Sequence, residues 1–248
     1  MIKLIINADD CGITQEVDSA IREAILKRKI SSTTIMANMD DFDGAVRLYN
    51  EYKEIISFGW HINLTEGVPL TQSQLLLDKG FYKEADGLIQ FNGEAFWRQY
   101  MNKPMRSEIK KELRAQYEKL RDNGIEITHA DGHHHIHTAP SMLLIMPSLF
   151  NELRIKRCRH IMNYGVSSLS FWGRQIWALP FRFRGIKMPD TLTSFNTYYS
   201  NPNLRQGATV ELECHPGHSK EVYNKEMELM YATDIESWNA QFITYKEL

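Results

Sequence analysis

Residues Lys3 to Asp10 read K-L-I-I-N-A-D-D, a short apolar run that ends in two adjacent carboxylates. A run of this length, bounded by polar residues, reads as a buried strand over Lys3–Ala8. The same grammar returns along the chain. Ile55–Trp60 runs into His61-Ile62-Asn63, Ile125–Ala130 into Asp131 to His137, and Thr209–Cys214 into His215. Thr33–Ala37, rich in β-branched residues, reads as a further strand. Helical spacing fills the intervals: from Thr14 and Val17 onward, Phe42–Tyr52, Ser107–Arg121, Pro140 to about Leu153, Glu221–Tyr231 and Ile235–Phe242. Strands alternating with helices predict an α/β fold around a mostly parallel sheet, and in such folds active sites collect at the carboxyl ends of the strands. Asp9-Asp10, His61, the histidine run and His215 are therefore expected to share one cleft.

The whole chain sets bounds on this reading. Its 248 residues fit one domain over 1–248, of a length common among α/β barrels. A net charge of -2 without a basic stripe speaks against nucleic acid as a partner. No apolar run is long enough to span a membrane. The opening M-I-K-L-I-I-N-A-D-D is expected not to be a signal peptide. Cys11, Cys158 and Cys214 are odd in number and far apart, which fits a reducing, cytoplasmic setting. From Glu66 to about Pro104 glycines, prolines and aromatic residues replace regular periodicity. That stretch is expected to be an insertion, either covering substrate or forming a packed subdomain. The aromatic and basic stretch from Cys158 to Phe195 is a candidate dimer or sugar-facing surface.

Thr128 to Pro140, T-H-A-D-G-H-H-H-I-H-T-A-P, holds five of the nine histidines. Imidazole is the commonest metal ligand and titrates near neutral pH, so the run reads as a metal or acid/base site. Two imidazoles and one carboxylate with open positions describe a catalytic metal site. Asp9 and Asp10 cannot point the same way on an extended strand, so one could bind the ion while the other serves as base. His215, leaving a different strand, is the natural proton donor. In an extended segment His133, His135 and His137 would share a face, and spacing leaves open which of His133, His134, His135 and His137 do what. Asn63 could be a substrate contact or a loop-stabilising group, Cys214 is expected in the core, and His218 in a solvated loop.

Four motifs carry a family resemblance: N-A-D-D-C-G at 7–12, G-W-H-I-N-L-T at 59–65, T-H-A-D-G-H-H-H-I-H at 128–137 and E-C-H-P-G at 213–217. In this order they resemble the YdjC-like carbohydrate deacetylases, the chitooligosaccharide deacetylases among them. The resemblance implies a distorted (β/α) barrel resembling polysaccharide deacetylases, and hydrolysis of an N-acetyl group from an amino sugar with release of acetate. It implies Asp10, His61 and His133 as metal ligands, Asp9 as base and His215 as acid. It also implies a homodimer and a magnesium ion, although two imidazoles suit zinc or another transition metal better. His135, His137, Asn63 and Trp60 are candidate substrate contacts, Trp60 standing where a smaller residue is usual. Two other classes share the ligand pattern: a non-haem iron oxygenase and a non-catalytic sugar- or metal-binding module.

Overall fold

The computed structural model describes residues 2–200, 208–238 and 240–248. In chain order it contains β1 (Ile2–Cys11), α1 (Gln15–Leu26), β2 (Ser32–Ile35), α2 (Phe42–Tyr52) and β3 (Ser57–Ile62). Next come α3 (Gln74–Asp78), β4 (Tyr82–Ala85), β5 (Leu88–Phe91), α4 (Gly93–Arg98), α5 (Lys103–Asp122) and β6 (Ala130–Gly132). After two 3₁₀ turns follow α6 (Met146–Glu152), α7 (Ser168–Arg182), β7 (Thr191–Ser194), α8 (Phe195–Ser200), β8 (Thr209–Cys214), α9 (Glu221–Ala232) and β9 (Ala240–Phe242).

The main sheet runs β6-β3-β2-β1-β8-β7, with β9 beside the start of β1, and every pairing in it is parallel. Single bridges at Ala130–Cys158 and Arg157–Lys187 prolong it past β6. Asn163 then bonds to the backbone of Asp190 and Leu192 beside β7, drawing the two edges together. The result is the expected distorted α/β barrel, a curled parallel sheet with helices outside. Its apolar strand residues, such as Leu4, Ile6, Val210 and Leu212, are fully buried. Thr14 caps α1 by accepting from Val17 N at 3.4 Å, and α5 buries Ile109, Leu113 and Leu120 as its periodicity predicts. Among the described residues no helix is long and apolar enough to cross a membrane.

Two expectations change, and one open alternative is decided. The strand predicted over Ile125–Ala130 shifts to Ala130–Gly132, because the ladder with β3 pairs Trp60 with Ala130, His61 with Asp131 and Ile62 with Gly132. The helix predicted over Ile235–Phe242 is a 3₁₀ turn at Ile235–Ser237 followed by β9, whose pairing with β1 overrides helical spacing; Asn239 lies outside the described residues. The stretch from Glu66 to Pro104 is mainly a packed subdomain, in which Leu76, Phe81, Tyr82, Phe91 and Phe96 are buried together. Its hairpin turns at Asp86-Gly87, both with positive φ, the Asp-Gly signature of a type I′ turn. Only Glu66 from this stretch lines the cavity described next.

Candidate active site

The carboxyl ends of β1, β3, β6 and β8 surround a cavity of about 520 Å³. Asp9 and Asp10 close β1. An extended strand would send them to opposite faces, but the backbone turns left-handed at Asp10 (φ 68) and the register with β2 shifts between Ala8 and Cys11. This bulge brings both carboxylates to the cavity, each almost fully buried. Strain of this kind in a non-glycine residue persists only where surrounding contacts enforce it.

Asp10 is the centre of a cluster of imidazoles. Its Oδ1 lies 3.0 Å from His61 Nε2 and 2.7 Å from His133 Nδ1. Its Oδ2 lies 2.9 Å from Nε2 of His218, so His218 joins the site rather than a solvated loop. Burial pushes the Asp10 carboxyl up, but the bonds from His133, His218 and His61 outweigh it and hold the group well below its ordinary value. On its far nitrogen, Nδ1, His61 faces Asp131 Oδ1 at 2.7 Å. Thr34 braces that pair by donating to Asp131 Oδ2 at 3.1 Å, and accepts in turn from Asn7 Nδ2 at 3.2 Å. A carboxylate on Nδ1 sets the tautomer that leaves Nε2 free as a ligand.

The ligand atoms of Asp10, His61 and His133 lie within 4.8 Å of one another. Ligands held about 2.0–2.2 Å from one ion stand about 3–3.5 Å apart, depending on coordination angle, so the donor set fits a divalent cation. Two nitrogens and one oxygen favour zinc or a related transition metal over magnesium.

Asp9 has a different partner. Arg159, fully buried, donates Nη1 to Asp9 Oδ2 at 2.7 Å and Nη2 to Oδ1 at 2.6 Å. The same guanidinium reaches Asp131 Oδ2 at 2.9 Å and Glu211 Oε1 at 2.8 Å. Burial raises the Asp9 carboxyl, but Arg159 overrides it, so Asp9 stays ionised far below neutral pH. Burial instead dominates at Glu211 and Glu213, which are pushed up to about 7. Tyr245 donates its hydroxyl to Glu211 and stacks on His129 at 3.6 Å.

His215 closes the opposite wall. Its Nε2 is 4.0 Å from Asp9 Oδ2, and its ring stacks on Tyr223 of α9 at 4.4 Å. Glu226, one turn further along α9, lies 3.6 Å from His215 Nδ1 and accepts from its backbone N–H at 3.2 Å. Burial alone would lower the imidazole pKa; Glu226, Asp9 and Glu213 lift it to about 9.

The histidine run is not extended. His133–Thr138 is a 3₁₀ turn broken by left-handed His134 and His135, so its rings do not share one face as an extended segment would place them. His133 enters the Asp10 cluster, His134 turns toward Glu66, and His135 lines the cavity with Nε2 3.7 Å from Glu213 Oε1. His137 is fully buried and packs on Gly132, where a side-chain carbon would lie 2.9 Å from its ring. Trp60 is likewise fully buried, its ring 6.0 Å from that of Tyr117. Asn63 ties the loop after β3: its Oδ1 accepts from the backbone of Thr65 and Glu66, and its Nδ2 donates to Glu66 O. His137, Trp60 and Asn63 thus lie outside the cavity wall, because strand alternation and loop bonding turn them inward.

Sequence reasoning missed Arg159, Glu211, Glu213 and Glu226. One signal was present. Glu211 and Glu213 alternate within T-V-E-L-E-C, which puts two acids on one face of a buried strand and calls for a cation there.

The YdjC-like protein family matches this chain over residues 3–242. A carbohydrate deacetylase of Clostridium beijerinckii is 27% identical over 263 residues, covering all of both chains. One from Geobacillus stearothermophilus is 28% identical over 264 residues, 98% of this chain and 96% of the relative. A third, from Brevibacillus brevis, is 36% identical over 157 residues, 62% of this chain, and the match spans 58% of that relative's length. An Enterococcus faecalis protein named for cellobiose-phosphate cleavage shares the fold, with a TM-score of 0.78 at 20% identity over 99% of this chain and 98% of that one. A lactam utilization protein of Thermus thermophilus is a more distant relative in fold, at a TM-score of 0.53 and 10% identity over 97% and 99% of the two chains.

Proposed function

Because this chain belongs to the YdjC-like protein family, we propose that it is a carbohydrate deacetylase: a metal-dependent hydrolase that removes the N-acetyl group from an amino sugar or short chitooligosaccharide. The observation that carries this is the left-handed turn at Asp10, which aims two adjacent carboxylates into one cavity with separate partners. A divalent ion held by Asp10, His61 and His133 would polarise the acetyl carbonyl and lower the pKa of a bound water.

The chain's own residues supply the proton transfers. Asp9, ionised at every working pH and held by Arg159, accepts the proton of the attacking water. His215, protonated at neutral pH through Glu226, gives a proton to the amine nitrogen as the C–N bond breaks and acetate leaves. Each transfer contributes roughly 100- to 10,000-fold. His135 and Tyr223 line the space beside these groups and bind the sugar.

A homodimer in a reducing, cytoplasmic setting belongs to the same reading, consistent with three buried free cysteines. Leu169, Trp172, Ile176 and Phe183 form an exposed apolar stripe along α7 and just past its end, inside the stretch marked from sequence as an interface.

The test is acetate release from N-acetylglucosamine, diacetylchitobiose and their 6-phosphates, using protein stripped of metal and reloaded with magnesium, zinc, cobalt or nickel. Metal-dependent release ranks substrate and ion together. Asp9→Asn is expected to keep its metal and lose at least about a hundredfold in turnover. Full turnover in that variant would reject Asp9 as the base.

A further inference from the structure

His133 presents its two ring nitrogens to different surroundings. Nδ1 faces Asp10 Oδ1 in the cluster already described. Nε2, on the opposite side of the ring, is buried and makes no hydrogen bond, and the residue is only 6% exposed. Glu66 Oε2 lies 3.5 Å from it, and the other oxygen of the same carboxylate lies 3.7 Å from His134 Nε2. The ligand atoms of Glu66, His133 and His134 fall within 4.8 Å of one another. Ligands held about 2.1 Å from one ion at tetrahedral angles stand about 3.4 Å apart, close to the distances at which the two Glu66 oxygens approach the two rings.

Separate parts of the chain build this corner. Asn63 draws the backbone of Glu66 into place, and Gln116 of α5 donates to Asn63 O at 2.7 Å. His134 has a left-handed backbone, its ring lies 4.0 Å from that of His133, and Thr65 Oγ1 lies 3.1 Å from its Nδ1.

We propose a second divalent-metal site at Glu66, His133 Nε2 and His134, bridged to the inner Asp10–His61–His133 site through the His133 ring. Two imidazoles and one carboxylate select zinc, cobalt or nickel over magnesium. Glu66 and His134 are half-exposed, so the outer ion keeps open positions toward the cavity, where it meets an oxygen of the entering sugar. Binding at both ring nitrogens requires the His133 ring to give up its remaining proton to solvent.

The inner site is taken from the deacetylase reading, but the test counts ions and does not depend on acetate chemistry. Apo-protein is dialysed against zinc, and bound metal is measured together with protein. Wild type is expected to hold two ions per chain. Glu66→Gln and His134→Ala each lower this to one, Asp10→Asn also leaves one, and His133→Ala removes both. Glu66 and His134 lie at the surface, so their variants test the site without disturbing the core; circular dichroism checks that they fold. Two results would overturn the second site: a single wild-type ion that survives in Glu66→Gln and His134→Ala, or two ions that both survive in those variants.

Discussion

Arg159 and Asp9 meet through two parallel hydrogen bonds of 2.7 and 2.6 Å, with the guanidinium wholly out of solvent. Arg159 also compensates Asp131 and Glu211, so several carboxylates depend on one cation. Removing one partner of a buried pair leaves an uncompensated charge. Arg159→Met is therefore expected to destabilise the fold by about 3–5 kcal/mol. Urea unfolding measures this, and a loss below about 1 kcal/mol would show that the carboxylates are neutralised some other way.

Asp131 sits behind His61 rather than in the cavity wall. Losing a carboxylate that orients a ligating imidazole typically weakens a metal site about 10- to 100-fold. Asp131→Asn should show that loss in a chelator-competition titration. Unchanged affinity would mean that Thr34 alone orients the His61 ring.

His215 is charged up to about pH 9 because Glu226, Asp9 and Glu213 outweigh its burial. A proton donor with a raised pKa works below that value and is lost as pH rises through it. The alkaline limb of kcat/KM is expected near pH 9, and Glu226→Gln should move it to lower pH. A limb that stays in place in this variant would detach it from the Glu226–His215 pair.

Glu211 carries a consequence for stability that also fades as pH rises. Burial raises its pKa to about 7, so the folded chain holds a proton that the unfolded chain releases near 4.5. Its contribution is fully present below pH 4.5 and falls as pH rises to about 7. Urea midpoints between pH 5 and 8 should decline in wild type and flatten in Glu211→Gln. An equal decline in both proteins would assign the effect to Glu213 or another group.

Much of the architecture was legible in sequence because local rules suffice for it. Apolar runs with polar ends mark the strands feeding the site, and Thr14 and the α5 periodicity mark helices whose local preference agrees with their packing. The misses have a common cause. Ala240–Phe242 reads as helix alone and becomes a strand only because β1 offers a free edge beside Ile2–Leu4. The expected alternation of His133, His135 and His137 failed because two left-handed residues break the segment.

Sequence alone determined which chemistry was on hand: paired carboxylates at one strand end, imidazoles at three others, and the alternation that gathers them at one rim. Tertiary structure alone decided which of them act together. It turned Asp10 out of the extended conformation, buried His137, brought His218 from a distant loop to Asp10, and threaded Arg159 between acids from β1, β6 and β8. Ligand geometry and buried charge balance are set by distances of a few ångströms between residues far apart in the chain, from Arg159 and Asp131 to Asp10 and His218. Periodicity along the chain carries no information about such distances.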